Sequence, residues 1–165
     1  MKTLNQYIQE KLIINKDYND GKMYHPKSFD ELRKIIDDRY DKLGAGTKQK
    51  PIDFNDIDVS NLNSFCNDND KGIFEGTYFK YIDISDWDVS NVTNMTRMFC
   101  WCKELESIGD ISKWDVSKVN SMIHMFFNCK KFNQDISNWD VSNVMGRVGM
   151  FYGCPIKNEY EPKFK

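Results

Sequence analysis

One aspartate recurs at the same position in four related segments of this chain. The four are Asp58, Asp88, Asp115 and Asp140. A row of carboxylates could bind Ca²⁺, or it could imitate the backbone charge of a nucleic acid. Calcium loops carry a denser alternation of Asp and Gly than these segments do. We therefore expect each carboxylate to accept N–H bonds from its own turn or helix start, with a cation-binding ridge as the alternative.

The five cysteines are the next candidates for chemistry. Cys102, Cys129 and Cys154 each follow a phenylalanine by three residues, so they occupy one repeat position. A zinc site needs pairs such as C-x₂-C, whereas the one close pair here is Cys100 and Cys102. The pattern favours core thiols in a reducing compartment. It also predicts that Cys66, in an inserted polar segment, is the exposed and reactive thiol.

Neither histidine belongs to a recognisable catalytic pattern. His25 and His124 are isolated, and no Ser/His/Asp or Cys/His arrangement stands at a familiar spacing. The chain also has no Gly-rich phosphate loop. We therefore expect no enzyme activity, no cofactor and no metal. The net charge of −2 gives no general attraction to nucleic acid or to an anionic membrane, so neither is expected as a partner.

The aspartates and most of the cysteines lie within an internal repeat. Its three regular copies are DISDWDVSNVTNMTRMFCWC at 83–102, DISKWDVSKVNSMIHMFFNC at 110–129 and DISNWDVSNVMGRVGMFYGC at 135–154. Trp87, Trp114 and Trp139 mark the register, at intervals of 27 and 25 residues. Repeats of this length are typical of solenoids, in which neighbouring copies bury a core that one copy cannot bury alone.

Each repeat divides into two parts by the period of its apolar residues. Residues 84–89 have β-favouring composition, which predicts a brief extended segment. Residues 92–99 place apolar side chains at i, i+3, i+6 and i+7, which predicts a short helix capped by Ser90 or Asn91. The predicted fold class is therefore an α/β repeat, a short right-handed leucine-rich-repeat-like solenoid with an N-terminal helical cap.

A degenerate first copy precedes the regular ones. Asp58 aligns with Asp88 at an interval of 30 residues, but Phe74 aligns with Phe99 at 25, so about five residues are inserted around 66–72. The predicted organisation is a helical cap at 1–50, a solenoid at 51–154 and a tail at 155–165. The repeats within it are 51–82, 83–109, 110–134 and 135–154.

Two helices are predicted before the repeats. Residues 1–20 show helical spacing of apolar side chains. A second helix should begin at Ser28, with Glu31 completing a capping box, and end at residues 44–46. We expect both helices to cover the end of the core, with a separate docking arm as the alternative for the first.

A family resemblance follows from these patterns. The pattern D-I-S-x-W-D-V-S-x-V-x-x-M-x-x-M-F, strong over 83–154 and weak over 51–82, resembles the bacterial BspA-like leucine-rich-repeat proteins. It is similar in particular to their subgroup with 25-residue repeats, first noted in mycoplasma lipoproteins. The preamble YHPKSFDELRKIIDDRY also resembles the segment before the repeats in that family. The family consists mainly of surface and interaction proteins, so the resemblance implies protein binding.

Two polar columns vary between copies while their neighbours stay nearly constant. They are Asp86/Lys113/Asn138 and Asn91/Lys118/Asn143. A residue type that recurs in every copy is one that the fold requires. A position that changes type among constant neighbours is therefore expected to face solvent or a partner. Arg147, which stands where earlier copies have methionine, is a further candidate. We predict that these residues form the partner-binding surface of a non-catalytic protein-binding module. The module would be a small adaptor or an inhibitor of another protein, with a bacterial surface adhesin as the alternative and an enzyme as the distant one.

The start of the chain bears on where the protein acts. MKTLNQYIQEKLIINK has neither the apolar region nor the small-residue cleavage site of a secretory signal. No lipid-attachment cysteine lies near it, and no apolar run approaches the roughly 20 residues that span a bilayer. We therefore expect a cytoplasmic protein.

Overall fold

The computed structural model describes residues 22–164. The helix predicted within residues 1–20 lies outside the described residues, and so does its role as a docking arm. The regular elements are the helix α1 (Phe29–Leu43), the parallel strands β1 (Ile52–Asp53) and β2 (Ile82–Asp83), and a 3₁₀ turn (Asn158–Tyr160). No helix in the described residues is long and apolar enough to cross a membrane.

α1 begins and ends where the sequence predicts. Ser28 is the N-cap, and its hydroxyl accepts the N–H of Glu31 at 3.3 Å. Gly44 ends the helix at a φ of 75°, in the left-handed region that glycine adopts without strain. Its N–H donates to the carbonyl of Tyr40 at 2.7 Å, which satisfies one of the last free carbonyls of the helix.

One face of α1 packs on the first repeat. Leu32 and Ile36 are fully buried. From the same helix, the guanidinium of Arg33 donates to the carbonyl oxygens of Ile73 at 3.1 Å and Glu75 at 3.4 Å. The helix therefore covers apolar surface and also supplies donors to a main-chain edge of the first repeat.

The repeats lie side by side and are joined through their main chains. Parallel bridges link Ser64 to Asn94, Asn94 to Ser121, and Ser121 to Gly146. These four residues occupy the same repeat position in the sequence. The register derived from the sequence is therefore the register in which the repeats pair.

The fold class predicted from the sequence is wrong. In the part of the chain that the structure describes, α1 is the one α-helix and β1–β2 is the one sheet. An α/β leucine-rich-repeat-like right-handed solenoid, with a strand and a helix in each copy, is therefore not the fold. Residues 92–99, which were expected to be helical, form turns and irregular structure instead.

Hydrogen bonds explain why the helical spacing is misleading here. Met98 donates its N–H three residues back, to Met95, at 3.2 Å, whereas Arg97 donates to Ile123 of the next repeat at 2.8 Å. An α-helix bonds every N–H four residues back, so it cannot send alternate N–H groups to a neighbour. Arg97 also has a φ of 57°, outside the helical range. Consecutive turns bury every third or fourth side chain, much as a helix does.

The apolar columns are buried as predicted. Trp87, Trp114 and Trp139 are 3%, 6% and 4% exposed. A second column consists of the stacked rings Phe74, Phe99, Phe126 and Phe151, with neighbouring centroids 5.3–5.9 Å apart. Both columns belong to one core cluster, which extends from α1 to Ile156. The pattern of side-chain burial was therefore predictable although the backbone was not.

The second repeat is two residues longer than the third, and one set of inter-repeat bonds is interrupted there. Ile82 donates its N–H to the main chain at Ser107 at 3.0 Å, and Ile84 donates to Ile108 at 3.2 Å. The N–H of Ile108 instead bonds to the side-chain oxygen of Gln134 at 2.9 Å, and the amide of Gln134 donates to Gly109 at 2.9 Å. A polar side chain thus bridges the interruption, beside an open cleft of about 720 Å³.

The interruption coincides with an unpaired tryptophan. The indole N–H of Trp87 donates to the carbonyl of Phe54 at 2.9 Å, and that of Trp139 donates to Ile111 at 3.1 Å. The equivalent N–H of Trp114 is buried and has no hydrogen-bond partner among residues 22–164. A buried donor without an acceptor carries a desolvation penalty, so the middle tryptophan is the least well satisfied of the column.

Candidate functional site

The recurring aspartates bind the turns that follow them. Asp88, Asp115 and Asp140 each accept the N–H of the serine two residues on, at 3.0 Å. Hydrogen bonds from Ser117 hold the pKa of Asp115 below its usual range. The structural role expected from the sequence is confirmed. Among the residues described, no group of three or more His, Cys, Asp or Glu side chains is placed to hold a metal ion.

Two of the three repeated cysteines, Cys102 and Cys129, are buried core thiols, as predicted, while Cys154 is partly buried against the same core. The Sγ of Cys102 donates to the carbonyl of Phe74 at 3.0 Å, and the Sγ of Cys129 donates to Phe99 at 2.9 Å. Burial raises the pKa of Cys102 to about 12 and raises that of Cys129 as well. All five cysteines are free thiols. A raised pKa keeps a thiol protonated and therefore weakly nucleophilic.

The prediction that Cys66 is the exposed thiol is wrong. Its side chain is 6% exposed, and its Sγ lies 3.5 Å from the hydroxyl of Ser64. Burial also raises the pKa of Cys66. The inserted segment is a loop, as expected, but Cys66 pairs with Gly72 at its base, while residues 68–71 are exposed. Of the five thiols, that of Cys154 is the one only partly buried.

The predicted column Asn91/Lys118/Asn143 is exposed but bonded to its neighbours. The amides of Asn91 and Asn143 donate to the carbonyls of Ser60 at 3.1 Å and Ser117 at 2.7 Å in the preceding repeat. The Nζ of Lys118 donates to Asn91 at 2.9 Å. The structure brings this column together as a line of inter-repeat hydrogen bonds, which gives its asparagines a structural use.

The column Asp86/Lys113/Asn138 is less connected. Asn138 donates to the carbonyl of Ser112 at 2.6 Å, and the backbone N–H of Asp86 donates to the side chain of Asn55 at 2.8 Å. All three members of the column are exposed. Its asparagine therefore supports the fold, while no hydrogen bond within the described residues accounts for the side chains of Asp86 and Lys113.

Arg147, the last residue predicted for the site, lies apart from both columns in its contacts. Its guanidinium carbon stands 4.7 Å from the ring centroid of Phe164. It is exposed on the last repeat. A cation over an aromatic ring is a favourable pair, so the C-terminal segment holds this side chain.

Two exposed aromatic side chains, Trp101 and Tyr152, lie on either side of the half-buried Phe127 in the second half of the repeats. Trp101 and Phe127 have ring centroids 5.7 Å apart, and Phe127 and Tyr152 have centroids 5.2 Å apart. His124 meets Phe127 edge-on at 4.9 Å, and the Nζ of Lys103 lies 4.9 Å from the Trp101 ring. Trp101 is 43% exposed and Tyr152 is 68% exposed. We call Trp101, His124, Phe127 and Tyr152 the aromatic strip.

The backbone under the strip is partly left-handed. Trp101 and His124 have φ values of 63° and 54°, which side chains other than glycine seldom adopt. The first and last copies place Gly76 and Gly153 at the position of Trp101, with φ values of 70° and 69°. The fold thus requires this conformation, which costs roughly 1–2 kcal/mol for a non-glycine residue. A strained, exposed tryptophan indicates a role other than packing.

A glycine in the last repeat makes room for the strip. A Cβ on Gly149 would stand 2.5 Å from Cδ2 of His124, and the φ of Gly149 is +63°. Next to it, Val148 is 72% exposed and accepts the N–H of His124 at 3.0 Å. Met145, in the same repeat, is 87% exposed. The last copy therefore exposes further apolar side chains, and a main-chain hydrogen bond joins Val148 to His124 of the strip.

Comparison with known proteins gives the chain a family. A family model described as "Mycoplasma protein of unknown function, DUF285" matches residues 48–162. This chain belongs to that family. No curated protein and no solved structure matches the chain. The DUF285 match includes the aromatic strip and both polar columns, whereas α1 lies before it.

The DUF285 repeats do contain a signal for the strip. The position of Phe127 is occupied in successive copies by Glu75, Cys100, Phe127 and Tyr152. The position thus changes from a charged to an aromatic side chain while its neighbours stay nearly constant. Variation of this kind is the same criterion by which the polar columns were selected. Sequence reasoning misses the strip because aromatic residues at the end of a predicted helix are taken for core.

Proposed function

We propose that this DUF285 chain is a non-catalytic protein-binding module whose partner docks on the aromatic strip. The observation that carries the proposal is the contact of Trp101, Phe127 and Tyr152 on a solvent-facing surface. Contiguous exposed apolar surface in a folded protein marks interaction sites. Trp and Tyr are also enriched among the residues that contribute most of the free energy of binding.

The rigidity of the strip supports this role. The N–H of Trp101 donates to Phe127 of the next repeat at 2.8 Å, and the N–H of Asn128 donates to Tyr152 at 2.8 Å. The rings therefore stand on a main chain that is fixed by its neighbours. A surface that is already ordered loses little conformational entropy when a partner binds.

The finer resemblance of the sequence favours the same class of function. The repeats are similar to the 25-residue subgroup of the BspA-like proteins, which are mainly surface and interaction proteins. We propose an adaptor or an inhibitor of another protein, with a surface adhesin as the alternative. The free thiols, four of them buried, fit a reducing compartment, so we propose that the module acts in the cytoplasm. Cell fractionation distinguishes a cytoplasmic adaptor or inhibitor from an adhesin at the cell surface.

The charged members of the polar columns are proposed as secondary contacts. Asp86 and Lys113 occupy a repeat position whose residue type changes between copies. No hydrogen bond of their side chains within the described residues gives them a structural role. Lys118, although it donates to Asn91, is exposed as well. Such charges at the rim of an interface influence the rate of association more than its strength.

Affinity capture from the native cell, followed by quantitative mass spectrometry, tests the proposal. The wild-type chain is compared with a Trp101→Ala/Tyr152→Ala variant whose circular dichroism spectrum is unchanged. Recovery of the partner should fall at least about tenfold, which corresponds to about 1.4 kcal/mol of binding free energy. Tyr78→Ala is the matched control, because Tyr78 is 64% exposed and lies outside the strip.

The polar columns provide the opposing outcome. A Lys113→Glu/Lys118→Glu variant should keep most of its capture if the strip carries the binding. Normal capture by the strip variant, together with loss of the partner by the lysine variant, would place the interface on the columns instead.

A further inference from the structure

The last repeat carries a row of main-chain donors for which residues 22–164 provide no acceptor. The backbone N–H groups of Arg147, Gly149, Phe151 and Gly153 donate to no atom within residues 22–164. We call these four groups the donor row. They follow one another at every second residue along one edge of the last repeat.

The same row bonds to the following repeat in full in the second and third copies and in part in the first, where the N–H of Gly72 donates instead to the side chain of Glu75 at 3.0 Å. Phe74, Phe99 and Phe126, which occupy the position of Phe151, each donate their N–H to the next repeat at 2.9 Å. The pairing at this phenylalanine position is therefore repeated three times within one molecule. The donor row is the fourth copy of a hydrogen-bonding edge whose geometry the fold already uses.

Other main-chain edges at the two ends of the chain are closed by the protein itself. At the first repeat, Arg33 donates to the carbonyls of Ile73 and Glu75. At the last repeat, the carbonyl of Tyr160 accepts the N–H of Ile136 at 3.0 Å. The C-terminal segment thus closes one edge of the last repeat, but within the described residues it gives the donor row no acceptor.

The edge offers donors without acceptors. Every carbonyl from residue 147 to residue 152 already accepts an N–H, alternately from its own repeat and from the one before. Arg147 accepts from Met150 at 3.2 Å, and Val148 accepts from His124 at 3.0 Å. A regular β-strand presents N–H and C=O groups together, so half of its groups would meet no counterpart here.

A second copy of this chain does not fit the donor row. Its own last repeat presents the same donors, which cannot bond to donors. Its carbonyls at Ile73 and Glu75 are occupied by Arg33, beneath α1. The partner must therefore bring acceptors of another kind.

The charged side chains near the donor row indicate which kind of acceptor would bind there. Arg147 is exposed at one end of the row, and at the other end the Nζ of Lys130 lies 2.8 Å from where a Cβ on Gly153 would stand. Neither cation forms an ion pair with any residue between 22 and 164. Carboxylates are acceptors that carry no donor, and they bind both to cations and to rows of backbone N–H groups.

We propose that the donor row, with Arg147 and Lys130, binds a carboxylate-rich extended segment of a partner protein. This inference rests on the proposed function only in taking the partner to be a protein. It assigns a second contact surface, which adjoins the aromatic strip at Gly149 and Tyr152, and the chemistry of the segment that occupies it.

A titration of the ¹⁵N-labelled full chain with a capped hexaglutamate peptide tests the proposal. The amide protons of Gly149, Phe151 and Gly153 should move downfield and saturate below about 10 mM peptide. The amide of Gly76 serves as an internal control, because it already donates to Cys100 at 2.8 Å. A capped hexaglutamine peptide should leave the donor row unshifted.

Charge reversal sharpens the test. Lys130→Glu/Arg147→Glu should weaken hexaglutamate binding about tenfold, while Lys48→Glu/Lys50→Glu, with the same change in net charge, should not. Absent shifts, equal shifts with hexaglutamine, or equal losses in both variants would overturn the proposal. Shifts in the donor row alongside normal capture by the Trp101→Ala/Tyr152→Ala variant would instead reject the aromatic strip and leave this inference standing.

Discussion

The guanidinium of Arg33 bonds to the carbonyl of Ile73 at 3.1 Å, where a preceding repeat would otherwise place an N–H. In the next copy, the equivalent carbonyl, that of Met98, accepts the N–H of Phe74 at 2.9 Å. A side chain of α1 therefore substitutes for a missing repeat. This explains how the first copy can end the row of repeats without leaving this carbonyl unpaired.

Removal of that side chain should destabilise the protein measurably. Arg33→Ala leaves the carbonyls of Ile73 and Glu75 without their donor, so the free energy of unfolding should fall by about 1–3 kcal/mol in urea denaturation. Lys34→Ala is the control, because Lys34 also pairs with a carboxylate four residues on, that of Asp38 at 2.9 Å. An exposed pair of this kind contributes about 0.5 kcal/mol. Equal losses of unfolding free energy in the two variants would contradict the role of Arg33 as a substitute for the N–H of a missing repeat.

The sequence predicts side-chain burial better than backbone conformation in this protein. The tryptophan column, the Ser28 cap and the turn role of Asp115 follow from residue type and spacing. The turns at 92–99 do not follow from the sequence, because successive turns, each closed by a hydrogen bond to the carbonyl three residues back, bury the same positions as a helix. The N–H of Met98 bonds within its own repeat, whereas that of Arg97 bonds to the next repeat. This alternation depends on the neighbouring repeat, so the propensities of the local sequence do not predict it.

The candidate site was only partly predictable, for a related reason. The polar columns were identified from their variation, but the inter-repeat bonds of Asn91 and Asn143 show that part of this variation is compatible with a structural use. The aromatic strip needed knowledge that Trp101 and His124 take left-handed backbone conformations. That strain depends on the pairing of the repeats.

A pair of tryptophan substitutions tests the interruption between the second and third repeats. Trp87→Phe removes a buried N–H that donates to Phe54, whereas Trp114→Phe removes one that has no partner among the described residues. Both lose a similar ring volume. Thermal and urea unfolding should therefore show Trp87→Phe to be less stable than Trp114→Phe by about 1 kcal/mol or more. The reverse order would mean that the Trp114 N–H is satisfied in solution.

The aspartate turns predict how stability depends on pH. Hydrogen bonds from the serines two residues on lower the pKa values of Asp110, Asp115 and Asp135. Each ionised carboxylate therefore favours the folded state above the unfolded value of about 3.9, and this contribution is lost as the pH falls through the lower folded values. Urea denaturation should show a free energy of unfolding that declines from about pH 5 downward.

Asparagine provides the matched variant for that measurement. Asp115→Asn keeps an oxygen that can accept the N–H of Ser117, so the variant should fold. It cannot ionise, so its free energy of unfolding should fall less steeply with acid than that of the wild type. Identical slopes would show that Asp115 does not contribute to the acid dependence.

The thiols should differ sharply in reactivity. Burial raises the pKa of Cys102 to about 12 and that of Cys154 to about 11, but the latter is partly exposed. Timed alkylation of the native chain, read by mass spectrometry, should modify Cys154 first and leave Cys102 and Cys129 unmodified until the protein unfolds. Faster modification of Cys66 would show that the base of the inserted loop opens.

The most direct test of the central claim is photo-cross-linking through the aromatic strip in the native cell. A photoreactive phenylalanine analogue replaces Tyr152 in one chain and Tyr78 in another, since both side chains are well exposed. If the strip is the docking surface, the analogue at 152 gives a discrete adduct with one partner protein, and Trp101→Ala in the same chain removes it. An adduct of equal yield from position 78, or one that persists after Trp101→Ala, would contradict the account.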